Sequence, residues 1–327
     1  MSADRELEDG SEELVGGAAR AGDIAGLSLK DRPLAPGLYL VATPIGNLED
    51  ITLPALRVLR SVDRIACEDT RQTQKLLNHF EIRTPTVSYH RHNEAARAAE
   101  LARELKAGAR IAVVSDAGTP GIADPGGLIA AAAIAAGVPV FPIPGANAAI
   151  SALIASGLAG RATEEADGAG SEANPERFTF HGFLPAKEGQ RRTALEALHS
   201  GSGVQIFYEA PHRILATLAD VEAIFGHAQH IVLARELTKL HEEFLRGAVS
   251  EVRQTLTERS SVRGEIVLLF TPGPAASTGS HSTIATEVRE LMKARGLDEK
   301  DALKQVARSR NLSKSAAYRE LQRERGK

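Results

Sequence analysis

Short apolar runs alternate with helix-length segments through the first half of the chain. The runs are apolar on both faces, which is typical of strands buried in a parallel sheet, whereas the longer segments repeat apolar residues at helical spacing. The predicted strands cover 37–43, 63–68, 86–90, 110–115 and 138–143, and the predicted helices cover 53–60, 70–80, 94–108, 127–136 and 148–157. This βα repetition predicts an N-terminal α/β domain over residues 37–157.

The same alternation restarts after a polar, aperiodic stretch at 161–176. The predicted strands are 178–184, 204–210, 230–236, 242–247 and 265–271, and the predicted helices are 190–199, 212–225 and 248–258. We interpret 158–177 as a linker or insertion, 178–271 as a C-terminal α/β domain and 272–282 as a flexible hinge. The expected fold class is therefore two α/β domains.

The two ends of the chain differ in charge and composition. Residues 1–36 begin with an acidic, Gly- and Ala-rich stretch, so we expect a disordered leader there. Residues 283–327 hold 12 Lys and Arg against 7 Asp and Glu, a local charge of +5, although the whole chain carries −3. The part before this tail therefore carries −8, and we expect a small basic helical module on an acidic body.

The basic tail has the pattern of two helices joined by a turn. Helical stretches within 299–323 are separated by Asn311, Leu312 and Ser313, and Ser313 suits the N-cap of the second helix. This layout is typical of a helix-turn-helix-like nucleic-acid-binding module. From charge alone, a dimerisation or docking element fits equally well.

Several observations indicate the compartment. The single cysteine, Cys67, excludes an intrachain disulfide, and its apolar neighbours favour a core position. No run approaches the roughly 18 consecutive apolar residues of a membrane span. The N-terminus lacks the basic and apolar regions of a signal peptide. These features predict a protein of the reducing cytoplasm, with no membrane partner.

Polar segments, three of which contain glycine, follow the five strands predicted in the first domain. They are TPIGN at 43–47, EDTR at 68–71, HRHN at 90–93, SDAGTPGIADPG at 115–126 and PGAN at 144–147. Because ligands of open parallel sheets bind outside the carboxyl ends of the strands, we expect these segments to meet at one edge. Gly and Pro also punctuate ordinary turns, so PGAN alone carries little weight.

The longest of these segments, residues 115–126, contains three Gly, two Pro and two Asp. It has no Lys or Arg, so it does not match a phosphate-binding P-loop. Asp116 and Asp124 stand eight residues apart, without the alternating oxygen ligands of a calcium loop. What remains is a rigid backbone surface with two carboxylates, which suits a polar ligand carrying positive charge or hydroxyls. S-adenosylmethionine is one such ligand, and no metal site is indicated.

The ordered motifs resemble a known family. TPIGNLEDIT, EDTR, SDAGTPGIADPG, PIPGANA, IFYEAPHRI and LARELTKLHEE together are similar to the bacterial small-subunit (16S) ribosomal RNA methyltransferases of the tetrapyrrole methylase superfamily. The resemblance covers residues 37–271 and the tail. It implies a homodimeric, S-adenosylmethionine-dependent enzyme that methylates the 2′-hydroxyl of a cytidine in the decoding region of the 30S subunit.

The resemblance also implies a cofactor site in the interdomain cleft. Carried over by position, its residues are Pro44, Gly46, Asp116, Gly118, Thr119, Ile122, Ala146, Asn147, Tyr208 and Arg235. One departure concerns the first loop, where tetrapyrrole-modifying members usually carry Gly-x-Gly-Pro-Gly and this chain has TPIGN at 43–47. Fewer glycines indicate a differently shaped substrate side.

Four side chains are candidates for the chemistry of methyl transfer to a ribose hydroxyl. We hypothesise that His90 is the base and that Arg71 contacts an RNA phosphate or the developing alkoxide, since both follow strands that should end at the cleft. Asp69 and Lys239 are further candidates. Asp69 and Arg71 could instead pair or cap the following helix, Lys239 could contact phosphate, and His90 could be a solvated histidine.

Two other functions stay open on the sequence. One is a small-molecule methyltransferase acting on a tetrapyrrole-like acid, with basic side chains lining the cleft. The other is a non-catalytic nucleic-acid-binding regulator that uses the tail for binding and the α/β body as a ligand sensor.

Overall fold

The chain forms two compact units. The computed structural model describes residues 33–158, 177–272, 284–295, 298–309, 317–318 and 321–322. Contacts divide the chain into a first unit, Met1–Asn147, and a second unit, Ala148–Lys327.

The first unit is built on a five-stranded parallel sheet. Its strands are β1 (Gly37–Val41), β2 (Arg64–Cys67), β3 (Thr86–Ser88), β4 (Arg110–Val114) and β5 (Val140–Ile143), in the order β3-β2-β4-β1-β5. Its helices are α1 (Leu53–Ser61), α2 (Thr70–His79), α3 (Glu94–Lys106) and α4 (Gly127–Ala135). The predicted βα alternation of this part of the chain is confirmed, with small shifts at the ends of the elements.

Both faces of this sheet are covered by helices. On one face, α1 and α2 bury Val58, Leu59 and Leu77 against alternate strand residues. On the other face, α3 and α4 bury Leu101 and Ile129. Because strand side chains alternate between the faces, strands covered on both sides must be apolar throughout. This explains why the runs lack the polar alternation of a half-exposed sheet.

The second unit contains a mixed sheet. Its strands are β6 (Phe178–Phe183), β7 (Val204–Glu209), β8 (His230–Arg235), β9 (Glu243–Ala248) and β10 (Ile266–Phe270), in the order β6-β7-β10-β8-β9. Strand β6 runs parallel to β7, whereas the other neighbours pair antiparallel. The helices are α5 (Ala148–Ser156), α6 (Glu188–Glu196), α7 (Ile214–Phe225) and α8 (Val249–Thr257). The two expected α/β sheets are therefore present.

Helix α5 differs in its packing from the sequence-based grouping. The periodicity placed it in the domain 37–157, but it contacts β7, β8 and β10 of the second sheet. Arg246 of β9 also donates to the carbonyl oxygen of Ala155 at 2.7 Å and to that of Ser156 at 3.3 Å. The helix consists almost entirely of Ala, Ile and Leu, so its pattern does not reveal which sheet it covers.

The basic tail contains α9 (Ile284–Arg295) and α10 (Glu299–Ser309). Val288, Leu303 and Val306 form part of its small apolar core. Ser313 and the turn at 311–313 lie outside the described residues, as do residues 1–32 and most of the predicted linker and hinge. No helix in the described ranges is both long enough and apolar enough to cross a bilayer.

Candidate active site

The loops after β1 and β4 are joined by backbone pairing at the carboxyl edge of the first sheet. The N–H of Thr43 donates to the carbonyl oxygen of Gly118 at 2.8 Å, and the N–H of Gly118 returns a bond to Thr43 at 3.0 Å. The Ser115 hydroxyl donates to the carbonyl oxygens of Ala117 and Gly118 at 3.2 and 3.3 Å. Both hydroxyl-bearing residues, Thr43 and Ser115, are buried. The two loops therefore form one rigid platform.

Gly118 is required at the centre of this platform. Its φ of +79° lies in the left-handed region, where L side chains are disfavoured. A Cβ at this position would lie 3.2 Å from Cγ2 of Ile45 and 3.6 Å from the carbonyl oxygen of Ala146. The neighbouring Thr119 hydroxyl donates to the same carbonyl at 3.1 Å. The loop after β5 is thereby joined to the other two.

The residues proposed from the resemblance for the first unit lie around this platform. Gly46, Asp116 and Ile122 are exposed, with Ile122 39% exposed. Ala146, Asn147 and Thr119 are half-buried, and Pro44 is buried. The edge therefore offers exposed backbone, a carboxylate and an apolar side chain within one group of loops. A ligand with both polar and apolar parts needs such a surface.

Carboxylates give this edge a negative character. Burial, and then the nearby Glu68 carboxylate, raises the pKa of Asp124 to about 6. Burial and the Asp116 carboxylate likewise raise the pKa of Glu68. Arg91 opposes both effects but does not cancel them. In the described part of the chain, no group of three or more His, Cys, Asp or Glu side chains is arranged to hold a metal ion.

Asp69 has a structural role in the loop after β2. Its carboxylate accepts the N–H of Arg71 at 2.8 Å and caps α2. Its own N–H donates to Oδ1 of Asp116 at 3.0 Å, which connects this loop to the one after β4. Of the alternatives considered on the sequence, the structure shows the capping arrangement. The Arg71 side chain is exposed at the same edge.

His90 lies at the end of β3 in a defined backbone setting. Its N–H donates to Oδ1 of Asn93 at 2.8 Å, and its ring lies 5.8 Å from that of His92. The Nδ1 atom of His90 is buried and meets no hydrogen-bond partner among the described residues. Within the described ranges this nitrogen therefore has no hydrogen-bond partner, and its burial also separates it from solvent.

The candidate residues of the second unit lie where β7 and β8 end, at one end of the second sheet. Ile266 of β10 pairs with Arg235 on one side and with Glu209, next to Tyr208, on the other. The Tyr208 ring packs against two aromatic rings of β6, with centroid distances of 4.8 and 5.7 Å. Lys239 follows in the turn between β8 and β9.

Ion pairs hold the charged candidates of this edge. Nε of Arg235 donates to Glu243 at 3.0 Å, and Arg259 makes two further bonds to the same carboxylate. The two guanidinium groups, Arg259 first, lower the pKa of Glu243 to about 2 against the opposing effect of burial. Nζ of Lys239 lies 2.9 Å from Glu236 and 3.1 Å from Glu265. Burial disfavours the charge on Lys239, but these carboxylates outweigh it and raise its pKa.

Sequence reasoning missed several residues that organise these edges. Glu94 accepts a bond from Gly126 at the end of the loop after β4, and Tyr89 accepts one from Ile129 in the first turn of α4. Their only local signal was their position on either side of HRHN. In the second unit, buried Glu209 accepts Ala210 N–H at 2.8 Å and the Thr217 hydroxyl at 2.6 Å. The acidic residue of IFYEAPHRI therefore shapes the turn into α7.

One family of methylases matches the greater part of this fold. Residues 37–253 match the family of Tetrapyrrole (Corrin/Porphyrin) Methylases, which is more than half of the chain. The chain belongs to this family.

Curated relatives narrow the comparison within the family. The chain is 46% identical over 284 residues to the "Ribosomal RNA small subunit methyltransferase I" of Synechocystis, covering 86% of this chain and 95% of that protein. It is 43% identical over 286 residues to the protein of the same name from Bacillus subtilis, covering 86% and 92%. The family resemblance noted in the motifs is confirmed.

Solved structures support the fold alone. Diphthine synthase superposes with a TM-score of 0.52 at 14% identity, covering 72% of this chain and 89% of that one. A conserved hypothetical protein from Aeropyrum pernix gives a TM-score of 0.53 at 19% identity, covering 81% and 91%.

Proposed function

We propose that this chain is an S-adenosylmethionine-dependent methyltransferase of small-subunit ribosomal RNA. The observation that carries the proposal is the rigid platform of loops 43–47, 115–126 and 144–147 in a member of a methylase family. The specific reaction we propose is methylation of the 2′-hydroxyl of a cytidine in the decoding region. The names of the curated relatives support the ribosomal RNA substrate.

The residues of the first unit fit a cationic cofactor. S-adenosylmethionine would supply an activated methyl group on a sulfonium, together with an ammonium, a carboxylate and a ribose diol. The carboxylates of Glu68, Asp116 and Asp124 create a negative potential that favours such a cation. Exposed backbone at Gly46 and the apolar Ile122 can enclose an adenine. We propose the remaining cofactor contacts named above, including Tyr208 and Arg235, on the resemblance.

The protein's main task in this reaction is alignment. Methyl transfer to a hydroxyl is an in-line displacement, so fixing the reacting groups and excluding water removes much of the barrier. We propose that His90 accepts the proton of the ribose hydroxyl, because it follows β3 at the carboxyl edge of the first sheet, where the loops of the proposed cofactor site meet. The exposed Arg71 would contact an RNA phosphate or the alkoxide. Lys239 would contribute less, because two carboxylates already hold it.

The decisive experiment is methyl transfer from labelled S-adenosylmethionine to 30S subunits and to naked 16S rRNA. Nuclease mapping then locates the label. We expect a single 2′-O-methylcytidine in the decoding region. Label in a tetrapyrrole-like acid and not in RNA would favour the small-molecule enzyme. Cofactor binding without transfer to either substrate would favour a regulator.

Asp116→Ala tests the cofactor half of the site. We expect a dissociation constant for S-adenosylmethionine at least about tenfold higher, since a hydrogen bond to a charged group contributes about 1.5–3 kcal/mol. Asp63→Ala is the matched control, because Asp63 pairs with Arg110 at the other end of the same sheet. Unchanged affinity in Asp116→Ala, with lost turnover, would overturn the assignment.

His90→Ala tests the proposed base in single-turnover reactions at saturating RNA and cofactor. Loss of a positioned base should slow the chemical step by about 10²- to 10⁴-fold. His92→Ala is the matched control, since His92 is an exposed neighbour in the same segment. An unchanged chemical step in His90→Ala would remove this residue from the mechanism.

We also propose that the basic tail binds RNA, and that the enzyme is a cytoplasmic homodimer. Lys300 and Lys304 are exposed on α10. Deleting 283–327, or reversing both lysines to Glu, should weaken 30S binding and reduce its salt dependence by about one in slope for each lost phosphate contact. Cofactor affinity should stay unchanged. A fall in cofactor affinity would show that the tail is part of the catalytic fold.

Analytical sedimentation of the wild-type protein tests the proposed homodimer.

A further inference from the structure

Helix α4 has no capping side chain of its own. Its N-cap residue is Gly126, the last residue of the loop after β4, and no side-chain bond is made from that position. The first N–H groups of a helix have no partner within the helix and must be satisfied from elsewhere. At α4 this matters for more than the helix, because its first turn is also the end of the proposed cofactor loop.

Two residues from the segment after β3 supply the missing partners. Oε1 of Glu94 accepts the N–H of Gly126 at 3.1 Å, and the hydroxyl oxygen of Tyr89 accepts the N–H of Ile129 at 3.2 Å. The Tyr89 hydroxyl donates in turn to Oε1 of Glu94 at 2.9 Å. The negative carboxylate at a helix N-terminus is also favoured by the helix dipole.

The burial of Tyr89 gives this arrangement little freedom. Tyr89 is only 1% exposed and packs in the core between the sheet, α3 and α4. Burial, followed by the bond to Glu94, raises the pKa of Tyr89 strongly, so its hydroxyl keeps its proton and remains a donor. A buried hydroxyl that both donates and accepts fixes the distance between its two partners.

The same segment contacts the middle of the loop. The Arg91 guanidinium donates to the carbonyl oxygen of Ala123, a non-glycine residue with φ of +63°. The first half of the loop is held by Thr43 and Ala146, as described above. The second half of the loop is therefore held by residues 89–94, which follow β3, whereas the first half is held by the loops after β1 and β5.

We infer that Tyr89 and Glu94 are positioning residues that set the conformation of the cofactor loop through the first turn of α4. This inference rests on the proposed function, because it assigns the loop to S-adenosylmethionine. Neither side chain acts on the reacting atoms. Their effect should appear in cofactor affinity and in the protection of loop amides, and the chemical step should be preserved.

The test compares Tyr89→Phe with Tyr39→Phe. Tyr39 is a matched control, because it is also nearly buried in the first unit and its hydroxyl donates to the carbonyl oxygen of Ala35 at 2.7 Å, outside the loop. Titration calorimetry gives the dissociation constant for S-adenosylmethionine, and kinetics give kcat and both KM values. Hydrogen exchange of the cofactor-free protein reports on residues 119–130.

We expect Tyr89→Phe to raise the cofactor dissociation constant and KM about three- to tenfold, as for a lost hydrogen bond, with kcat at saturation within about twofold. Exchange over 119–130 should quicken in Tyr89→Phe and stay unchanged in Tyr39→Phe. Glu94→Ala should behave like Tyr89→Phe. Glu94→Gln should recover most of the affinity, because its amide oxygen can accept the same two bonds.

The outcomes separate this inference from the proposed function. If wild type binds the cofactor and Tyr89→Phe binds it equally well, with unchanged exchange over 119–130, the inference is wrong and the proposed function stands. Equal losses of affinity in Tyr39→Phe and Tyr89→Phe would show a general stability effect and would also refute it. If the wild type binds no S-adenosylmethionine, the proposed function fails and the inference fails with it.

Discussion

Neutralising Asp124 should make the protein more stable at neutral pH. This carboxylate lies in the loop after β4, where burial and the charge of Glu68 raise its pKa to about 6. Ionising Asp124 in the folded state therefore costs free energy that the unfolded chain does not bear. Asp124→Asn removes the charge while keeping a side chain of nearly the same shape and an oxygen that can accept a hydrogen bond.

The size of the effect follows from the pKa. A folded-state value about two pH units above that of the unfolded chain corresponds to about 3 kcal/mol as an upper limit. Asp124 is partly exposed, and solvent screening reduces this to roughly 1–2 kcal/mol. For a chain of 327 residues, such a gain raises the melting temperature by roughly 1.5–3 °C.

The pH dependence gives the sign. Below about pH 4 the carboxyl is protonated in both states, so wild type and Asp124→Asn should be equally stable. Between about pH 4 and 6 the folded state binds the proton more tightly, and the stability of the wild type falls as the pH rises. Above about pH 6 the variant should keep its full advantage.

Thermal unfolding of both proteins at pH values on either side of about 6, the pKa of Asp124, measures this advantage. Glu68→Gln is a useful companion, since the pKa of Glu68 is raised in the same cluster. An Asp124→Asn variant that is no more stable at pH 8 than at pH 4, relative to wild type, would refute the reasoning. The variant should also bind S-adenosylmethionine more weakly, because the edge loses negative charge.

Substitutions at three further places test other parts of the structure. Gly118→Ala should lower the free energy of unfolding by about 1–2 kcal/mol, measured by denaturation, because φ is +79° there; an unchanged value would contradict the strain argument. Asp220→Ala should lower the free energy of unfolding by about 3–5 kcal/mol, because it leaves the buried Arg191 without its carboxylate partner. The double variant Arg191→Met with Asp220→Leu should recover most of this loss, because it removes both charges. The pKa of Glu243 is lowered to about 2, mainly by Arg259, so this carboxylate contributes stability that is present above about pH 4.5 and is lost as the pH falls toward 2. In Glu243→Gln, the melting temperature should therefore fall less steeply with decreasing pH over this range.

The strands of the first sheet could be predicted because burial on both faces leaves a continuous apolar run. The apolar run at 111–114 in β4 shows this, since β1 and β2 lie on either side of it in the sheet and helices cover both faces. The partner of α5 could not be predicted. A helix that is apolar on every side carries no record of which sheet it covers, and only its contacts reveal it.

The site shows the same division between local and long-range information. Capping of α2 by Asp69 is visible in the sequence, because the donor N–H is two residues away. The bond from Gly126 to Glu94 joins residues 32 positions apart, and no local pattern marks it. A residue such as Glu94, which follows one strand and holds the loop that follows another, is therefore found only when the fold is known.

The backbone pair between Thr43 and Gly118 also has a consequence for the order of folding. It joins residues 75 positions apart, so it can form only after β1 and β4 have aligned side by side. Closing so long a segment costs entropy before any bond is gained, and such contacts form late. The loop after β4 should therefore acquire its native shape among the last steps in the assembly of the first unit. A newly made chain would then gain affinity for the proposed cofactor only once β1 and β4 have paired.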